Sequence, residues 1–97
     1  MPDRPWPGRL VVEFMEYQVY ILKSTVDKNL YIGLSANVQK RLKAHNAGNV
    51  RSTKHRRPFK LLYTETLKSR VEARTREKYL KSLKGAREKL DIIVSLR

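Results

Sequence analysis

Residues 17–35 read YQVYILKSTVDKNLYIGLS, and this stretch decides the predicted fold. Its first part, residues 17–24, is rich in aromatic and β-branched residues, which is typical of a β-strand. Residues 26–29 then predict a turn, and residues 30–35 predict a second strand that returns antiparallel to the first. Because apolar side chains fall on both faces of the first strand, we expect it to lie at the centre of the sheet.

A helix is predicted directly after this hairpin, over residues 37–47. Val38, Leu42 and His45 recur there at the spacing of one helix face. Gly48 follows at the position where helices commonly end. The hairpin and the helix therefore form one continuous predicted unit.

The next part of the chain predicts a third strand and a second helix. Residues 49–58 form a basic loop, and residues 59–66 have the composition of a strand. Ser69 and Glu72 have the spacing of a capping box, which opens a helix that we expect to reach about residue 84.

Residues 86–95 predict a last short helix, with Leu90 and Val94 facing inward. The order is thus β-β-α-β-α-α. It predicts an α+β fold with a small three-stranded antiparallel or mixed sheet flanked by helices. We expect residues 1–16, which are rich in proline, to be an accessory tail, and residues 17–97 to form a single domain.

The charge of the chain is strongly positive. Twenty-two Lys and Arg against nine Asp and Glu leave a net charge of +13, and residues 28–64 carry nine basic residues and no acidic one. Such a segment attracts polyanions, so nucleic acid is the expected partner. The residues expected to contact it, including one strand glycine where a ligand could approach closely, are Gly33, Lys40, Lys43, Arg51, Lys54, Arg56 and Arg57.

Composition excludes several other classes of protein. There is no cysteine, which excludes disulfides and thiolate zinc sites, and two histidines argue against a transition-metal site built from protein ligands alone. No apolar run approaches the roughly 20 residues of a membrane span. We therefore expect no membrane association and a cytoplasmic location.

Two tripeptides and a pair of residues on the following helix resemble the motifs of a known family. Residues 18–20, QVY, resemble the first tripeptide that names the GIY-YIG superfamily of nucleases, and residues 31–33, YIG, match the second. The superfamily places an arginine and a histidine or tyrosine one turn apart on the next helix, where this chain has Arg41 and His45. The spacing of these positions agrees with the superfamily across three elements.

A fourth element completes the resemblance. The superfamily carries a glutamate on a later helix, within a pattern that residues 72–78, EARTREK, match. The resemblance covers residues 17–94 and is greatest to the small, free-standing members of the superfamily.

The resemblance implies metal-dependent hydrolysis of phosphodiester bonds. It implies Tyr20 and Tyr31 near the reacting phosphate, Arg41 on the phosphate charge, a catalytic role for His45, and Glu77 as ligand of one divalent ion, Mg²⁺ or Mn²⁺. A planar guanidinium suits a phosphate that gains charge, and magnesium is often held by one carboxylate with water and phosphate. Which tyrosine acts as the general base stays open.

The residues leave other functions open. A nucleic-acid-binding module on the same scaffold, without turnover, is the main alternative, and a subunit of a larger repair or recombination assembly is another. DNA is preferred over RNA because the aromatic stacking set of an RNA-recognition domain is not evident. We expect a monomer or a weak homodimer, with recognition of nucleic-acid structure or backbone rather than of a defined sequence.

Overall fold

The computed structural model describes residues 16–96, which form three strands and three helices. The elements are β1 (Tyr17–Ser24), β2 (Leu30–Ser35), α1 (Val38–Ala47), β3 (Phe59–Leu67), α2 (Arg70–Lys81) and α3 (Ala86–Ser95), with a short 3₁₀ turn at Lys54–Arg56 before β3. The order confirms the predicted α+β fold. The tail predicted over residues 1–16 lies outside the described residues, except for Glu16.

The sheet has the order β2-β1-β3, and both strand pairs are antiparallel. This confirms the prediction that β1 is the central strand. Tyr20 of β1 lies opposite Gly33 of β2 and Thr64 of β3. The pairing of β1 with β3 shifts register after Ile21, where β3 contains one extra residue.

Helices cover both faces of the sheet. On one face the buried cluster joins β1 and β2 to α2, through Val19, Ile21, Ile32, Ala73 and Leu80. On the other face it joins β1 to α1 and to the start of β3, through Tyr20, Leu22, Val38 and Phe59. Because side chains of a strand alternate between faces, neighbouring residues of β1 contribute to different clusters.

The first two helices begin where the sequence predicts. Asn37 caps α1 by accepting a hydrogen bond from the Lys40 amide at 3.0 Å, and Gly48 ends the helix with a φ of 83°. Ser69 caps α2 by accepting from the Glu72 amide at 3.2 Å, as the capping box predicts.

The end of α2 differs from the prediction. The helix stops at Lys81 rather than near residue 84, because the chain turns back on itself at residues 82–85. Gly85 then lies against the Tyr79 carbonyl, where a Cβ atom would stand 2.0 Å from the oxygen. A residue with a side chain could not make this approach without displacing the backbone.

The orientation of α3 was also predicted wrongly. Leu90 and Val94 are 55% and 60% exposed, whereas Ile92 packs against the core. The reason lies one turn earlier, where Glu88 forms an ion pair with Arg76 of α2. Glu88 and Ile92 are four residues apart and share the inward face, so Leu90 and Val94 are turned outward.

Arg76 links three elements through its guanidinium. It donates to both carboxylate oxygens of Glu65 in β3, at 2.7 and 3.1 Å, and to Glu88 in α3. Tyr63 donates to Glu65 at 2.8 Å. This arginine therefore has a structural role, and its positive charge is neutralised within the fold. Within residues 16–96, no helix is long and apolar enough to cross a bilayer.

Two leucines near the end of α2 test this packing. Leu80 is fully buried, whereas Leu83 is 95% exposed although it follows at helical spacing. We expect Leu80→Ala to lower the free energy of unfolding by about 2–5 kcal/mol, and Leu83→Ala to change it by less than about 0.5 kcal/mol. Urea denaturation followed by circular dichroism measures both, and equal losses would contradict the ending of α2 at Lys81.

Candidate active site

Tyr20 and His45 meet in the interior between β1 and α1. The Tyr20 hydroxyl lies 3.1 Å from Nε2 of His45, and the two side chains are 1% and 0% exposed. The predicted helical spacing placed His45 on the inner face of α1 with Val38, and both residues are buried. A polar pair in so small a core has to be fully hydrogen-bonded, since an unpaired buried group costs about 1–3 kcal/mol.

The second ring nitrogen of His45 also has a partner. Nδ1 lies 2.8 Å from the Thr53 hydroxyl, which in turn lies 3.4 Å from the Val50 carbonyl. Thr53 belongs to the loop between α1 and β3 and is 1% exposed. Sequence analysis missed this residue, because no motif or periodicity distinguishes one threonine of a polar loop.

Asn46 ties this loop to the sheet. Its side-chain oxygen accepts from the Phe59 amide at 2.7 Å, and its side-chain nitrogen donates to the Phe59 carbonyl at 3.2 Å. The asparagine thereby fixes the start of β3 against the end of α1. Sequence analysis missed Asn46 as well, since a polar residue near a helix end has many possible roles.

Tyr31 and Gly33 lie beside the pair on β2. The ring of Tyr31 is centred 4.9 Å from the His45 ring and 6.3 Å from the Tyr20 ring. A Cβ atom on Gly33 would stand 2.5 Å from the Tyr20 hydroxyl oxygen, so the glycine makes room for that hydroxyl. Gly33 itself is buried. Its role in the structure is thus to allow Tyr20 to reach His45.

Arg41 lies one helical turn before His45 and is exposed. Burial raises the pKa of Tyr20 above its usual value, and the guanidinium of Arg41 beside the hydroxyl opposes this rise. The pKa of His45 is lowered, first by burial and then by the positive charge of Arg41. His45 is therefore neutral near pH 7, and Tyr20 keeps its proton.

Glu77 lies on α2, the helix that covers the opposite face of the sheet. Its side chain is 14% exposed and accepts a hydrogen bond from Lys81 at 2.9 Å. The negative charges of Tyr31, when ionised, and of Glu77 both raise the pKa of Tyr20. Of the other residues predicted as catalytic, His45 is hydrogen-bonded to Tyr20, Arg41 lowers the pKa of Tyr20 through a hydrogen bond and its charge, and Tyr31 and Glu77 raise that pKa through their charge.

The predicted metal ligand can be tested against the donor groups present. Within residues 16–96, no three His, Asp or Glu side chains lie together as a metal site. Among the described residues, the carboxylate whose negative charge acts on the pKa of Tyr20 is that of Glu77. One carboxylate suits Mg²⁺ or Mn²⁺, which complete their shells with water and substrate phosphate.

The residues predicted to contact nucleic acid fall into two groups. Most of the basic ones are exposed, namely Lys40, Lys43, Arg51, Lys54 and Arg57. Arg56 differs from these. Its guanidinium pairs with Asp27 at 2.6 Å, donates to the Leu30 carbonyl at 3.3 Å and lies over the Phe59 ring. This guanidinium therefore holds the β1–β2 turn against the start of β3.

A small pocket lies at the N-terminal end of α1, beside Arg41. It has a volume of about 280 Å³, and it is lined by Ser35, Ala36, Asn37, Lys40, Arg41 and Ala44. None of these residues is acidic. A larger and more apolar groove of about 560 Å³ lies between the end of β3, α2 and α3, and contains none of the predicted site residues. Of the residues predicted as catalytic, Arg41 lines the small pocket.

Comparison with known proteins identifies the class to which this fold and site belong. The family described as the GIY-YIG catalytic domain matches residues 16–91. The chain therefore belongs to the GIY-YIG family, a superfamily of nucleases that generally use a divalent metal.

Within that family the chain is similar to small free-standing proteins. It is 45% identical over 78 residues to a UPF0213 protein of Clostridium perfringens, covering 79% of this chain and 82% of that protein. It is 40% identical over 79 residues to a UPF0213 protein of Staphylococcus haemolyticus, covering 80% and 94%. The solution NMR structure of a UPF0213 protein from Bacillus halodurans superposes with a TM-score of 0.50, at 36% identity and 86% coverage of both chains.

The burial of His45 predicts a pH dependence of stability. Its folded-state pKa lies below the ordinary value of 6.5, so below pH 6.5 the unfolded chain binds more protons than the folded one. We expect the free energy of unfolding to fall as the pH drops from 6.5 to 5, by at most about 1.4 kcal/mol per pH unit. Asp27 and Glu88 also have lowered pKa values, but their ordinary values are 3.8 and 4.5, so their contributions are lost at lower pH.

Urea denaturation of the native protein, His45→Gln and His55→Gln between pH 7.5 and 5 measures this effect. His55 is exposed and serves as the matched control. The pH dependence should disappear in His45→Gln and persist in His55→Gln. An unchanged dependence in His45→Gln would contradict the assignment to His45.

Proposed function

We propose that this protein is a metal-dependent endonuclease that hydrolyses phosphodiester bonds of nucleic acid, with DNA as the preferred substrate. The observation that supports this most is the surroundings of the buried Tyr20 hydroxyl. His45 is hydrogen-bonded to it, while Arg41, Tyr31 and Glu77 act on its pKa. A merely structural tyrosine needs one hydrogen-bond partner and has no requirement for charged groups that act on its pKa.

Arg41 and the small pocket beside it would bind the substrate phosphate. Arg41 and Lys40 line the small pocket at the start of α1, where backbone amides and the helix dipole favour an anion. Arg41 also lies beside Tyr20, so a phosphate held by this guanidinium would be next to the Tyr20 hydroxyl. The arginine would stabilise the negative charge that the phosphate gains during hydrolysis.

Proton transfer falls to the pair of Tyr20 and His45. At neutral pH His45 is uncharged, because burial and Arg41 lower its pKa, and it can accept a proton from Tyr20. As the attacking water loses a proton to the Tyr20 oxygen, the phenolic proton would pass to Nε2 of His45. Tyr20 would remain neutral throughout, which fits its raised pKa better than a stable phenolate.

Glu77 is the proposed metal ligand. A divalent ion bound there would neutralise phosphate charge and stabilise the leaving oxygen. To bind the ion, the Glu77 carboxylate would exchange its ion pair with the Lys81 ammonium, which lies 2.9 Å away. The exposed fraction of the Lys81 side chain is 50%, so this ion pair is easily exchanged for water.

The exposed basic residues support binding along the nucleic-acid backbone. Lys40 and Lys43 lie on α1, and Arg51, Lys54 and Arg57 lie on the loop that follows. Contacts of this kind read structure and charge rather than sequence. We propose action as a monomer or weak homodimer in the cytoplasm, in DNA repair or recombination and within a larger assembly where one forms.

A binding module without turnover is the second candidate. The observation that favours it is the ion pair of Glu77 with Lys81, which gives the carboxylate a partner other than a metal ion. The pair would then serve only to stabilise α2, as i,i+4 pairs do in many helices. The two candidates differ in whether the nucleic acid is cut.

The first experiment incubates the protein with supercoiled plasmid, branched DNA and RNA, in Mg²⁺, Mn²⁺ or EDTA. We expect metal-dependent nicking, and a loss of at least about 100-fold in Glu77→Gln and Arg41→Ala. Glu72→Gln and Arg87→Ala are the matched controls, since both residues are exposed and carry the same charges away from the site. Salt-sensitive binding without cleavage would establish the binding module, and equal cutting by all variants would indicate a contaminating nuclease.

The neighbouring residues Arg56 and Arg57 test the proposed binding surface. We expect Arg57→Ala to weaken DNA binding and to reduce the slope of log affinity against log salt by about one, with little effect on the melting temperature. Arg56→Ala should lower the melting temperature, because it breaks the pair with Asp27 and the bond to the Leu30 carbonyl. Fluorescence anisotropy measures DNA binding, and thermal denaturation measures the melting temperature. If Arg56→Ala weakened binding without lowering the melting temperature, or Arg57→Ala lowered the melting temperature without weakening binding, the two assigned roles would be wrong.

A further inference from the structure

We propose that Thr53 is a positioning residue that holds His45 as the Nδ1–H tautomer and so leaves Nε2 free to accept the proton of Tyr20. The consequence for catalysis rests on the proposed nuclease function, whereas the assignment of the tautomer rests on the contacts alone. Thr53 lies eight residues after His45 in the loop before β3. It belongs to neither tripeptide nor to the arginine–histidine pair.

The loop backbone holds Thr53 in place. Its amide donates to the Val50 carbonyl at 3.0 Å, and its own carbonyl accepts from the Arg56 amide at 2.9 Å. The side chain is 1% exposed, so no solvent competes for its hydroxyl. The loop thus presents one hydroxyl group to His45 in a fixed position.

The direction of each hydrogen bond follows from the groups at both ends. At one end, the Tyr20 hydroxyl is buried and has His45 as its hydrogen-bond partner, so its proton needs an acceptor on that ring. Nε2 of His45, at 3.1 Å, is that acceptor and has to be unprotonated. The proton of the neutral imidazole is then on Nδ1, which donates to Thr53 at 2.8 Å.

The other end is compatible with this direction. The Val50 carbonyl accepts from the Thr53 amide at 3.0 Å and lies 3.4 Å from the Thr53 hydroxyl, so it can also accept the hydroxyl proton. The Thr53 oxygen is then free to accept from Nδ1. All donors and acceptors from Tyr20 to Val50 are matched in this arrangement. In the reverse arrangement, Nε2–H would donate to the Tyr20 oxygen, and the buried Tyr20 proton would lose His45 as its acceptor, which costs free energy.

This tautomer suits the proposed proton transfer. When the attacking water gives a proton to the Tyr20 oxygen, the Tyr20 O–H bond breaks and an Nε2–H bond forms, which leaves His45 as the imidazolium. The Nδ1–H bond to Thr53 is the same before and after the step. Thr53 therefore stabilises the proton-accepting form and its product without rearrangement of the loop.

The test compares the native protein with Thr53→Val, which keeps the shape but removes the hydroxyl, and Thr53→Ser, which restores it. Long-range ¹H–¹⁵N NMR spectra of the histidine rings at pH 7.5 report which ring nitrogen of His45 is protonated. We expect protonation at Nδ1 in the native protein and in Thr53→Ser, and a shift toward Nε2–H in Thr53→Val. Thr25→Val, which removes an exposed hydroxyl bonded to the Pro58 carbonyl, is the matched control and should leave the spectrum unchanged.

Activity gives the second measurement. In Thr53→Val we expect kcat to fall about 100-fold with KM unchanged, and we expect Thr53→Ser to restore it. Protonation at Nε2 in the native protein would overturn the proposal even if Thr53→Val failed to fold, and so would an unchanged tautomer in Thr53→Val. A native protein that shows the Nδ1–H tautomer but cuts no substrate would overturn the nuclease function and uphold the role of Thr53 in the structure.

Discussion

The burial of β1 on both of its faces is the constraint on which the rest of the structure depends. The strand lies between β2 and β3, and each face is covered by a helix. Val19 and Ile21 therefore form the core with α2, while Tyr20 and Leu22 form the core with α1. The core on each face of the sheet is small, and Tyr20, which is proposed for catalysis, is also one of its largest buried side chains. Fold stability and site geometry are thus set by the same strand.

This arrangement places a polar cluster within a small core. Tyr20, His45 and Thr53 are each at most 1% exposed, and burying polar groups is unfavourable unless their hydrogen bonds are made. The bonds from Tyr20 through His45 to Thr53 and Val50 meet this requirement. A satisfied network is rigid, because any displacement leaves a buried donor or acceptor unpaired. The rigidity would benefit a reaction that needs a proton acceptor at a fixed position.

The basic residues divide into those that pair with acidic residues within the fold and those that are exposed. The acid-free segment of residues 28–64 is bounded by Asp27 and Glu65, and both of these bind arginines within the fold. Arg56 and Arg76 are consequently neutralised, although they contribute to the net charge as much as any other basic residue. The exposed basic side chains on α1 and on the loop after it, by contrast, stay available to a partner. Adjacent arginines such as Arg56 and Arg57 can therefore have different roles.

The sequence by itself determined the order of the strands and helices, the central position of β1 and the family. The bounds of β1 and β2 agree with the prediction, because alternation of apolar side chains and turn residues are local properties. The caps at Asn37, Gly48 and Ser69 were readable for the same reason. The five residues proposed as catalytic also came from the sequence, through motif spacing, and their roles stay predictions.

Tertiary structure alone decided which partners these residues have. The outward turn of Leu90 depends on a salt bridge between α2 and α3, and the early end of α2 depends on the approach of Gly85 to Tyr79. The roles of Thr53 and Arg56 depend on contacts with residues of other elements, which no local pattern encodes. Spacing along a helix or strand is set by backbone geometry, and so it can be read from the sequence. The partner of a buried hydroxyl or guanidinium is set by how elements pack in space, and so only the folded chain reveals it.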